Sequence, residues 1–272
     1  MGYMTVSEAE VTSRPTAIEA LAAQPAAAAL VLDFDGVLAP IVEDPESSAM
    51  PARTAASLAR VASSLGTVAV ISGRPASFLT DRVRAPGIRL LGSYGMEQIK
   101  DGNGQLSPAA AAWLPAVDDA RENLAGLLER AAGVRIEAKP ASVAVHWRQA
   151  PDRDAAAAEV RQATARVAAA TGLRLEPGKL VSELRPPIDV DKGSAVSALI
   201  LDVRPAVTVY AGDDLGDLPA LRVAREAGGY GLVVDHGAET DPIVLAAADQ
   251  VIAGTDGFAD WLAELAWAVY GE

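Results

Sequence analysis

Uninterrupted apolar runs alternate with helical segments along most of the chain. Residues 26–32, 67–71 and 206–211 show no alternation of polar and apolar positions, which is typical of strands covered on both faces of a parallel sheet. The helices predicted between them, over 51–65 and 191–201 among others, imply βαβ connections. The pattern therefore predicts an α/β fold with a doubly wound, Rossmann-like parallel-sheet core.

Shorter segments extend this core. They predict further strands at residues 88–91, 231–234 and 250–252. The last segment, residues 258–270, predicts an amphipathic helix whose inner face carries Trp261, Leu265 and Val269 at 3.6-residue spacing.

The pattern of polarity changes between residues 102 and 186. Val143 and Val145 fall on one face of a predicted strand, whereas His146 and Arg148 fall on the other. Such alternation indicates an antiparallel sheet with one polar face. We expect a smaller α/β cap domain inserted here, with helices at 107–132 and 152–171. The resulting division is an N-terminal tail and short helix (1–25), a core (26–101 and 187–272) and an inserted cap (102–186).

Composition and charge restrict the partners. With 23 basic and 36 acidic residues the net charge is −13, which argues against nucleic acid or an anionic membrane as a partner. The absence of cysteine excludes disulfides, thiolate metal sites and a cysteine nucleophile. We find neither an apolar stretch long enough to span a bilayer nor a secretory signal, and we expect a cytoplasmic protein. Nothing in the sequence indicates an oligomeric state.

Polar side chains follow the buried runs where the predicted strands end. Because the carboxyl ends of parallel strands meet at one edge of a sheet, we expect these side chains to lie close together. Clustered carboxylates repel unless a cation relieves them, and Mg²⁺ suits oxygen ligands in a chain without thiols. The groups are Asp33 and Asp35, Ser72, Lys192 at a helix start, and Asp213 with Asp217.

This set of groups is suited to phosphoryl transfer. An aspartate can attack phosphorus, a second carboxyl can exchange protons with the leaving group and water, and Lys192 with the Ser72 hydroxyl can hold phosphoryl oxygens. Each group also has a structural alternative: loop acids that cap a turn, a serine in a turn, a solvated lysine, or an Asp213 that caps the next helix. The presence of all of these groups together favours a catalytic site over these structural roles.

The order of these groups resembles the haloacid dehalogenase phosphatase superfamily. Its motifs are matched by Asp33-Phe34-Asp35-Gly36, Ile71-Ser72-Gly73-Arg74, Lys192-Gly193 and Gly212-Asp213-Asp214. A closer resemblance, spanning about residues 26–260, is to trehalose-6-phosphate phosphatases. It rests on Gly95 with Glu97 and on segments 137–140 (EAKP), 146–148 (HWR) and 183–186 (ELRP).

The resemblance implies a Mg²⁺-dependent hydrolase of trehalose 6-phosphate that acts through an aspartyl-phosphate. It implies that Asp33 is the nucleophile and Asp35 the acid and base, with Ser72 and Lys192 in the catalytic set. The implied metal ligands are Asp33, Asp35 through its carbonyl, and Asp213, supported by Asp217. The implied contacts to the sugar phosphate are Arg74, Glu137, Lys139, His146, Arg148 and Glu183, and the alternative is a solvated sheet face whose charges pair with one another.

The chain departs from that family in three places. Val37, Tyr94 and residues 216–218 stand where threonine, histidine and Thr-Asp-Glu are usual. Two other functions therefore stay open. One is a phosphatase of another sugar or pseudo-disaccharide phosphate, and the other is a catalytically silent domain that binds a sugar phosphate or a synthase partner. The intact set of nucleophile, base, lysine and metal acid favours an enzyme.

Overall fold

The computed structural model describes residues 14–100, 103–127, 131–178 and 180–270. The helices are α1 (Ala17–Ala23), α2 (Ala52–Ser64), α3 (Ala76–Arg82), α4 (Pro108–Ala111), α5 (Leu114–Ala125), α6 (Arg153–Thr171), α7 (Lys192–Val203), α8 (Leu218–Glu226), α9 (Pro242–Ala246) and α10 (Gly254–Tyr270). The strands are β1 (Ala28–Leu32), β2 (Thr67–Ile71), β3 (Ile88–Gly92), β4 (Glu97–Lys100), β5 (Asn103–Leu106), β6 (Arg135–Lys139), β7 (Ser142–His146), β8 (Arg174–Gly178), β9 (Val181–Arg185), β10 (Val207–Gly212), β11 (Tyr230–Asp235) and β12 (Gln250–Ala253).

Within the described ranges, eight strands form one large sheet in the order β12-β11-β10-β1-β2-β3-β4-β5. Neighbours from β12 to β3 run parallel, and β4 and β5 add an antiparallel hairpin at one edge. Leu30 in the central strand β1 is opposite Val209 on one side and Val68 on the other. The predicted α/β fold with a doubly wound, largely parallel sheet is confirmed.

Alternate side chains of β1 enter two different apolar layers. Leu30 and Leu32 pack with α1, α2 and α10 on one face of the sheet. Ala29 and Val31 pack with α7, α8 and α9 on the other face. Burial on both faces explains why this strand appears in the sequence as a continuous apolar run. On α10, Trp261 and Leu265 are buried, as the helical spacing predicts.

A second, antiparallel sheet lies in the insert, where the described strands are ordered β6-β7-β9-β8. Helices α5 and α6 cover one face of it, and Val117, Val143 and Val160 belong to an apolar cluster separate from those of the large sheet. The opposite face carries polar side chains. A four-stranded sheet with two helices on one side can bury a core of its own.

The single helix predicted over 107–132 is two helices. Ser107 caps α4 by accepting a hydrogen bond from the Ala110 amide, and α4 ends at Ala111. Pro115 stands in the first turn of α5, where its missing N–H is tolerated, whereas inside a continuous helix it would clash with the preceding turn. Helix α5 ends at Ala125, and residues 128–130 lie outside the described residues.

The hairpin β4–β5 differs from the predicted division of the chain. Residues 103–106, which the polarity pattern assigned to the insert, pair with β4 and extend the large sheet. The predicted turn over 101–104 falls partly on residues 101 and 102, which lie outside the described residues. Strand β5 is a largely exposed edge strand, so it has no apolar run to reveal it.

The N-terminal prediction is tested only from Arg14 onward, because residues 1–13 lie outside the described residues. The short helix expected there is α1, and Thr16 closes a capping box with Glu19 at its start. Among the described helices, none has the length and apolar character that crossing a membrane requires.

Candidate active site

Buried charges lie side by side where β1 and β10 end. Asp33 directly follows β1, and its amide donates to the carbonyl of Ala211 in β10 at 2.9 Å. Lys192, the first residue of α7, places Nζ 2.9 Å from Asp33 Oδ2 and 2.6 Å from Asp217 Oδ1. Lys192 is 3 % exposed and Asp217 fully buried. The sheet edge and the start of one helix thus bring together an acid–lysine–acid cluster, as the sequence predicts.

Asp217 has all of its acceptor positions filled. Its Oδ1 accepts from Lys192 Nζ and from the Tyr210 hydroxyl, and its Oδ2 accepts from the amides of Asp213 at 2.9 Å and Asp214 at 3.1 Å. Burial alone would raise the pKa of Asp217, but Lys192 and these hydrogen bonds outweigh burial and lower it. Asp217 therefore anchors Lys192 and the turn after β10.

The protein alone does not favour the charged forms of Asp33 and Asp213. Burial raises the pKa of Asp33 well above its usual value, against the attraction of Lys192. Burial, with the nearby charges of Asp217 and Asp214, raises the pKa of Asp213 to about 8. In the described part of the chain, Asp33, Asp213 and Asp217 have carboxylate oxygens within 4.8 Å of one another. Because the oxygens of Asp217 already accept four hydrogen bonds, Asp33 and Asp213 are the two carboxylates that fit a hard cation.

Gly36 lets the loop after β1 pass close to this cluster. Its φ is +80°, and a Cβ added there would lie 2.1 Å from Asp213 Oδ2. His236 supports the same loop: its Nε2 is 2.9 Å from the Gly36 carbonyl oxygen and 3.7 Å from Asp213 Oδ2. His236 was not predicted as a site residue, although it directly follows β11 at the same edge of the sheet.

The Asp35 carboxylate is held by three hydrogen bonds. Arg74 donates from Nε to Oδ2 at 2.7 Å and from Nη2 to Oδ1 at 3.1 Å, and Ser48 Oγ donates to Oδ1 at 2.7 Å. The Arg74 guanidinium in turn stacks 4.4 Å from the centre of the Phe78 ring. Arg74, predicted as a contact to the sugar phosphate, is thus a partner of the predicted acid. No pattern in the sequence indicated Ser48 as a site residue.

Ser72 lies where β2 ends, beside the same cluster. Its amide donates to the Leu91 carbonyl at 3.0 Å, and its hydroxyl accepts from the Arg74 amide at 3.2 Å. The residue is 3 % exposed, and it lines the cleft together with Lys192 and Asp33. The turn after β2 therefore presents a hydroxyl next to the lysine and the first aspartate.

Across the cleft, the polar face of the second sheet carries paired charges. His146 Nε2 is 2.8 Å from Glu137 Oε2, and Lys139 Nζ is 3.1 Å from Glu183 Oε1. Ser142 Oγ also donates to Glu183 Oε1 at 2.6 Å. The hydrogen bond from His146 lowers the pKa of Glu137, against burial. Four of the groups expected to touch a sugar, Glu137, Lys139, His146 and Glu183, are therefore held by one another.

One cleft of about 460 Å³ collects most of the predicted site residues. Its lining includes Asp33, Asp35, Ser72, Arg74, Glu137, Lys139, His146, Lys192 and Asp213. Asp217 pairs with Lys192, and Glu183 with Lys139, but neither acid lines the cleft. Arg148 is exposed and lines an adjacent cavity of about 650 Å³ with the acidic residues Glu43 and Glu46. The structure thus brings nine predicted residues to one cleft and leaves three outside its lining.

Several cleft residues were not predicted as site residues. They are Glu46, Tyr94, Arg135, His236, Glu239 and Thr240. Tyr94 was singled out only as a departure from the family pattern. Arg135 begins the strand that carries Glu137 and Lys139, so strand parity was the signal that could have found it. The others lie in loops, and their side chains form no pattern in the sequence.

The trehalose-phosphatase family model matches residues 31–243. The chain belongs to the trehalose-phosphatase family. It is 38% identical over 222 residues to the trehalose-phosphate phosphatase of Mycobacterium marinum, covering 78% of this chain and 55% of that protein. It is also 38% identical over 238 residues to that of Mycobacterium tuberculosis, covering 82% and 58%. An uncharacterized glycosyl hydrolase of M. tuberculosis is 38% identical over 223 residues, which are 78% of this chain and 16% of that protein.

This family member therefore spans little more than half of the length of the trehalose-phosphate phosphatases it matches. Solved structures share its fold. A trehalose-6-phosphate phosphatase related protein has a TM-score of 0.73 at 22% identity, covering 88% of this chain and 96% of that one. The C-terminal domain of trehalose-6-phosphate phosphatase from C. albicans has a TM-score of 0.69 at 22% identity, covering 92% and 95%.

Proposed function

We propose that this chain hydrolyses trehalose 6-phosphate to trehalose and phosphate, with Mg²⁺ as cofactor. The observation that carries this proposal is the convergence of Asp33, Lys192 and Asp213 at one end of a polar cleft. A buried acid beside a buried lysine suits attack on a phosphate monoester. Relatives named trehalose-phosphate phosphatases support the choice of sugar.

Asp33 and Asp213 would hold the Mg²⁺, with the Asp35 carbonyl as the further ligand that the family resemblance implies. When bound, the ion neutralises carboxylate and phosphate charge that would otherwise repel. We assign Asp217 a different role from the one that the sequence suggested. Because its four acceptor positions are filled, it would fix Lys192 as a donor to the phosphoryl oxygens.

The proposed reaction has two steps. Asp33 Oδ attacks phosphorus to form an acyl-phosphate, the bond from phosphorus to the sugar oxygen breaks, and protonated Asp35 gives that oxygen its proton. Asp35 then takes a proton from water as the water oxygen attacks phosphorus, which releases phosphate and restores Asp33. Arg74, which now binds Asp35 and lines the cleft, would turn to the phosphoryl oxygens while Asp35 is protonated.

We propose that the second sheet is a cap that selects the sugar, as the inserted segment suggests. Its Glu137–His146 and Lys139–Glu183 pairs could exchange their mutual contacts for sugar hydroxyls. A site built from such groups rejects ligands that leave them unpaired. The core would span residues 26–101 and 187–272 together with the hairpin strand β5, and the cap would follow that strand.

A phosphatase of another sugar phosphate is the second candidate, and Tyr94 favours it. Of the departures from the family pattern, Val37 is fully buried and Leu218 packs in an apolar cluster. Tyr94, however, lines the cleft itself. A residue that differs from its relatives at the cleft wall can change which sugar fits.

The test is release of inorganic phosphate from a panel of substrates by the purified chain. The panel contains trehalose 6-phosphate, sucrose 6-phosphate, glucose 6-phosphate and p-nitrophenyl phosphate, each with Mg²⁺ or with EDTA. We expect the highest kcat/KM for trehalose 6-phosphate, and loss of activity in EDTA that added Mg²⁺ restores. A higher kcat/KM for another sugar phosphate would support the second candidate, and no release from any of them would refute both.

A further inference from the structure

Tyr94 is held in a strained backbone conformation at the cleft wall. Ser93 and Tyr94 have φ values of 50° and 61°, in the left-handed region that residues with a Cβ rarely occupy. Two backbone hydrogen bonds impose this shape, from the Ser93 amide to the Arg74 carbonyl at 2.8 Å and from the Tyr94 amide to the Ser72 carbonyl at 2.9 Å. Strain of this kind persists only where the surroundings enforce it, and it is common at functional sites.

The buried carboxyl of Glu97 holds the same loop through Ser93. Ser93 Oγ donates to Glu97 Oε1, and Glu97 is 3 % exposed. Burial raises the pKa of Glu97, while the hydrogen bond from Ser93 opposes that rise. The Ala76 amide approaches the other carboxyl oxygen at 3.4 Å. The contacts of Ser93, Glu97 and the backbone therefore fix the position of Tyr94 without its own side chain.

The Tyr94 ring lies between the core and the second sheet. On one side it touches Gly73, where an added Cβ would lie 2.7 Å from Tyr94 Cζ and 2.8 Å from its hydroxyl oxygen. On the other side the Arg185 guanidinium stacks 4.3 Å from the ring centre, and Arg185 also pairs with Glu176 at 2.7 Å. Gly73 belongs to the turn that presents Ser72, and Arg185 ends strand β9. The ring therefore lies between the turn that carries Ser72, where the phosphate is proposed to bind, and the second sheet, where the sugar is proposed to bind.

The Tyr94 hydroxyl is an available donor at this junction. Burial, with the nearby charge of Glu183, raises the pKa of Tyr94 to about 12, so the phenol stays protonated at neutral pH. Within the described part of the chain the hydroxyl has no hydrogen-bond partner, and the residue lines the cleft. Lys192 and Ser72 would serve the phosphoryl oxygens, whereas the Tyr94 ring stacks with Arg185 of the second sheet, the side of the cleft proposed to bind the sugar.

We propose that Tyr94 is a specificity-determining residue whose hydroxyl donates a hydrogen bond to the sugar next to the phosphate ester. This rests on the proposed function, because it presumes a sugar phosphate in the cleft, and it adds which residue reads the sugar. An aryl phosphate has no hydroxyl at that place and gains nothing from Tyr94. The residue therefore separates sugar phosphates from other phosphate monoesters.

The experiment compares Tyr94→Phe with the wild type on trehalose 6-phosphate and on p-nitrophenyl phosphate. We expect kcat/KM for trehalose 6-phosphate to fall about tenfold, mainly through KM, while kcat/KM for p-nitrophenyl phosphate stays within about twofold. The melting temperature should not change, because the lost hydroxyl has no protein partner. Tyr270→Phe is the matched control: Tyr270 is 52 % exposed on α10, and the same change there should leave both substrates unaffected.

An equal loss on both substrates would overturn the proposal, because the hydroxyl would then serve the phosphoryl group or the fold. Unchanged kinetics on trehalose 6-phosphate would overturn it as well, while leaving the proposed function intact. If the wild type prefers another sugar phosphate, the proposed function fails and the same comparison is made with that sugar. If the wild type turns over no sugar phosphate, the selectivity assigned to Tyr94 does not exist.

Discussion

The two sides of the cleft hold their charges in different ways. On the core side Asp33, Lys192 and Asp217 are buried and bound to one another, and Asp217 also accepts from the backbone. On the other side Glu137 and His146 pair with each other and leave 27% and 28% of their side chains exposed, and Glu137 also lies 4.0 Å from Arg135 Nη2. The core charges are thus fixed, whereas the charges of the second sheet can exchange one partner for another.

From this difference we expect the core side to carry out the reaction and the second sheet to recognise the sugar. Removing one partner of a buried ion pair typically costs about 3–5 kcal/mol because it leaves a charge unpaired, whereas exposed pairs contribute about 0–1 kcal/mol, and the partly exposed pairs of the second sheet lie between these cases. Fixed charges suit groups that must meet a transition state in one geometry. Exchangeable charges suit groups that must accept sugar hydroxyls. Substitutions on the core side should therefore affect every substrate, and those on the second sheet should affect only the sugar.

The largest effect should come from Asp33→Asn. The change keeps the shape of the side chain and lifts repulsion among buried acids, so we expect a folded protein whose phosphate release from every substrate falls at least about 10³-fold. Asp189→Asn is the control, because the Asp189 side chain is fully exposed and its one ion pair among the described residues is with Arg174 at 3.6 Å. Substantial turnover by Asp33→Asn would remove Asp33 from the nucleophile role.

On the core side we propose different roles for two acids: Asp217 anchors Lys192, and Asp213 binds the cation. Asp217→Asn should lower the free energy of unfolding by about 3–5 kcal/mol, because Lys192 loses a buried partner. Asp213→Asn should leave stability in EDTA unchanged or higher, yet raise the Mg²⁺ concentration for half-maximal activity at least about tenfold. Chemical denaturation and Mg²⁺ titration measure the two effects. The reverse ranking of the two variants would show that these roles are exchanged.

The core side should also make stability depend on pH when metal is absent. The pKa values of Asp33 and Asp213 are raised, so the folded chain binds more protons than the unfolded chain between about pH 4 and about pH 8. In EDTA the free energy of unfolding should therefore fall as pH rises through this window, by at least about 1.4 kcal/mol. Mg²⁺ should reduce that fall by favouring the ionised carboxylates. Calorimetry at both ends of the window would decide this, and a stability that rises with pH in EDTA would contradict it.

The smallest and most selective effect belongs to the second sheet. Glu183→Ala removes the acceptor of Lys139 and Ser142, and we expect kcat/KM for trehalose 6-phosphate to fall at least about tenfold. Hydrolysis of p-nitrophenyl phosphate should stay nearly unchanged, because that substrate does not use the second sheet. Glu122→Ala, an exposed site on α5, is the control. Equal losses on both substrates would assign Glu183 to the fold or to the chemistry.

The core side was more readily predicted from sequence than the second sheet. Strands buried on both faces appear in the sequence as continuous apolar runs, and the geometry of parallel sheets brings together the residues that follow them. That reasoning suffices for Asp33 and Ser72, whereas Lys192 reaches the cluster from the start of α7. The hairpin β4–β5 was not predicted because an exposed edge strand needs no apolar pattern. The alanine-rich sequence predicted one continuous helix over 107–132, but a new helix begins near Pro115.

The rest of the site depends on contacts between distant segments. His236 is 2.9 Å from the carbonyl of Gly36, two hundred residues away, and no periodicity links the two. Ser48 is only 13 residues from Asp35, but it lies in an irregular loop where no periodicity indicates the contact. The role of Asp217 follows from four hydrogen bonds that only coordinates reveal, whereas the sequence identifies it merely as one more acid near the predicted metal site.

The most direct test of the account is to trap the covalent intermediate. The chain, with Mg²⁺ and trehalose 6-phosphate, is quenched and treated with borohydride, which reduces an acyl-phosphate to an alcohol, and the peptide that contains Asp33 is then sequenced by mass spectrometry. We predict homoserine in place of Asp33, and its absence when either substrate or Mg²⁺ is omitted. Phosphate release without modification of Asp33, or with modification of another carboxylate, would contradict the central claim that Asp33 is the nucleophile.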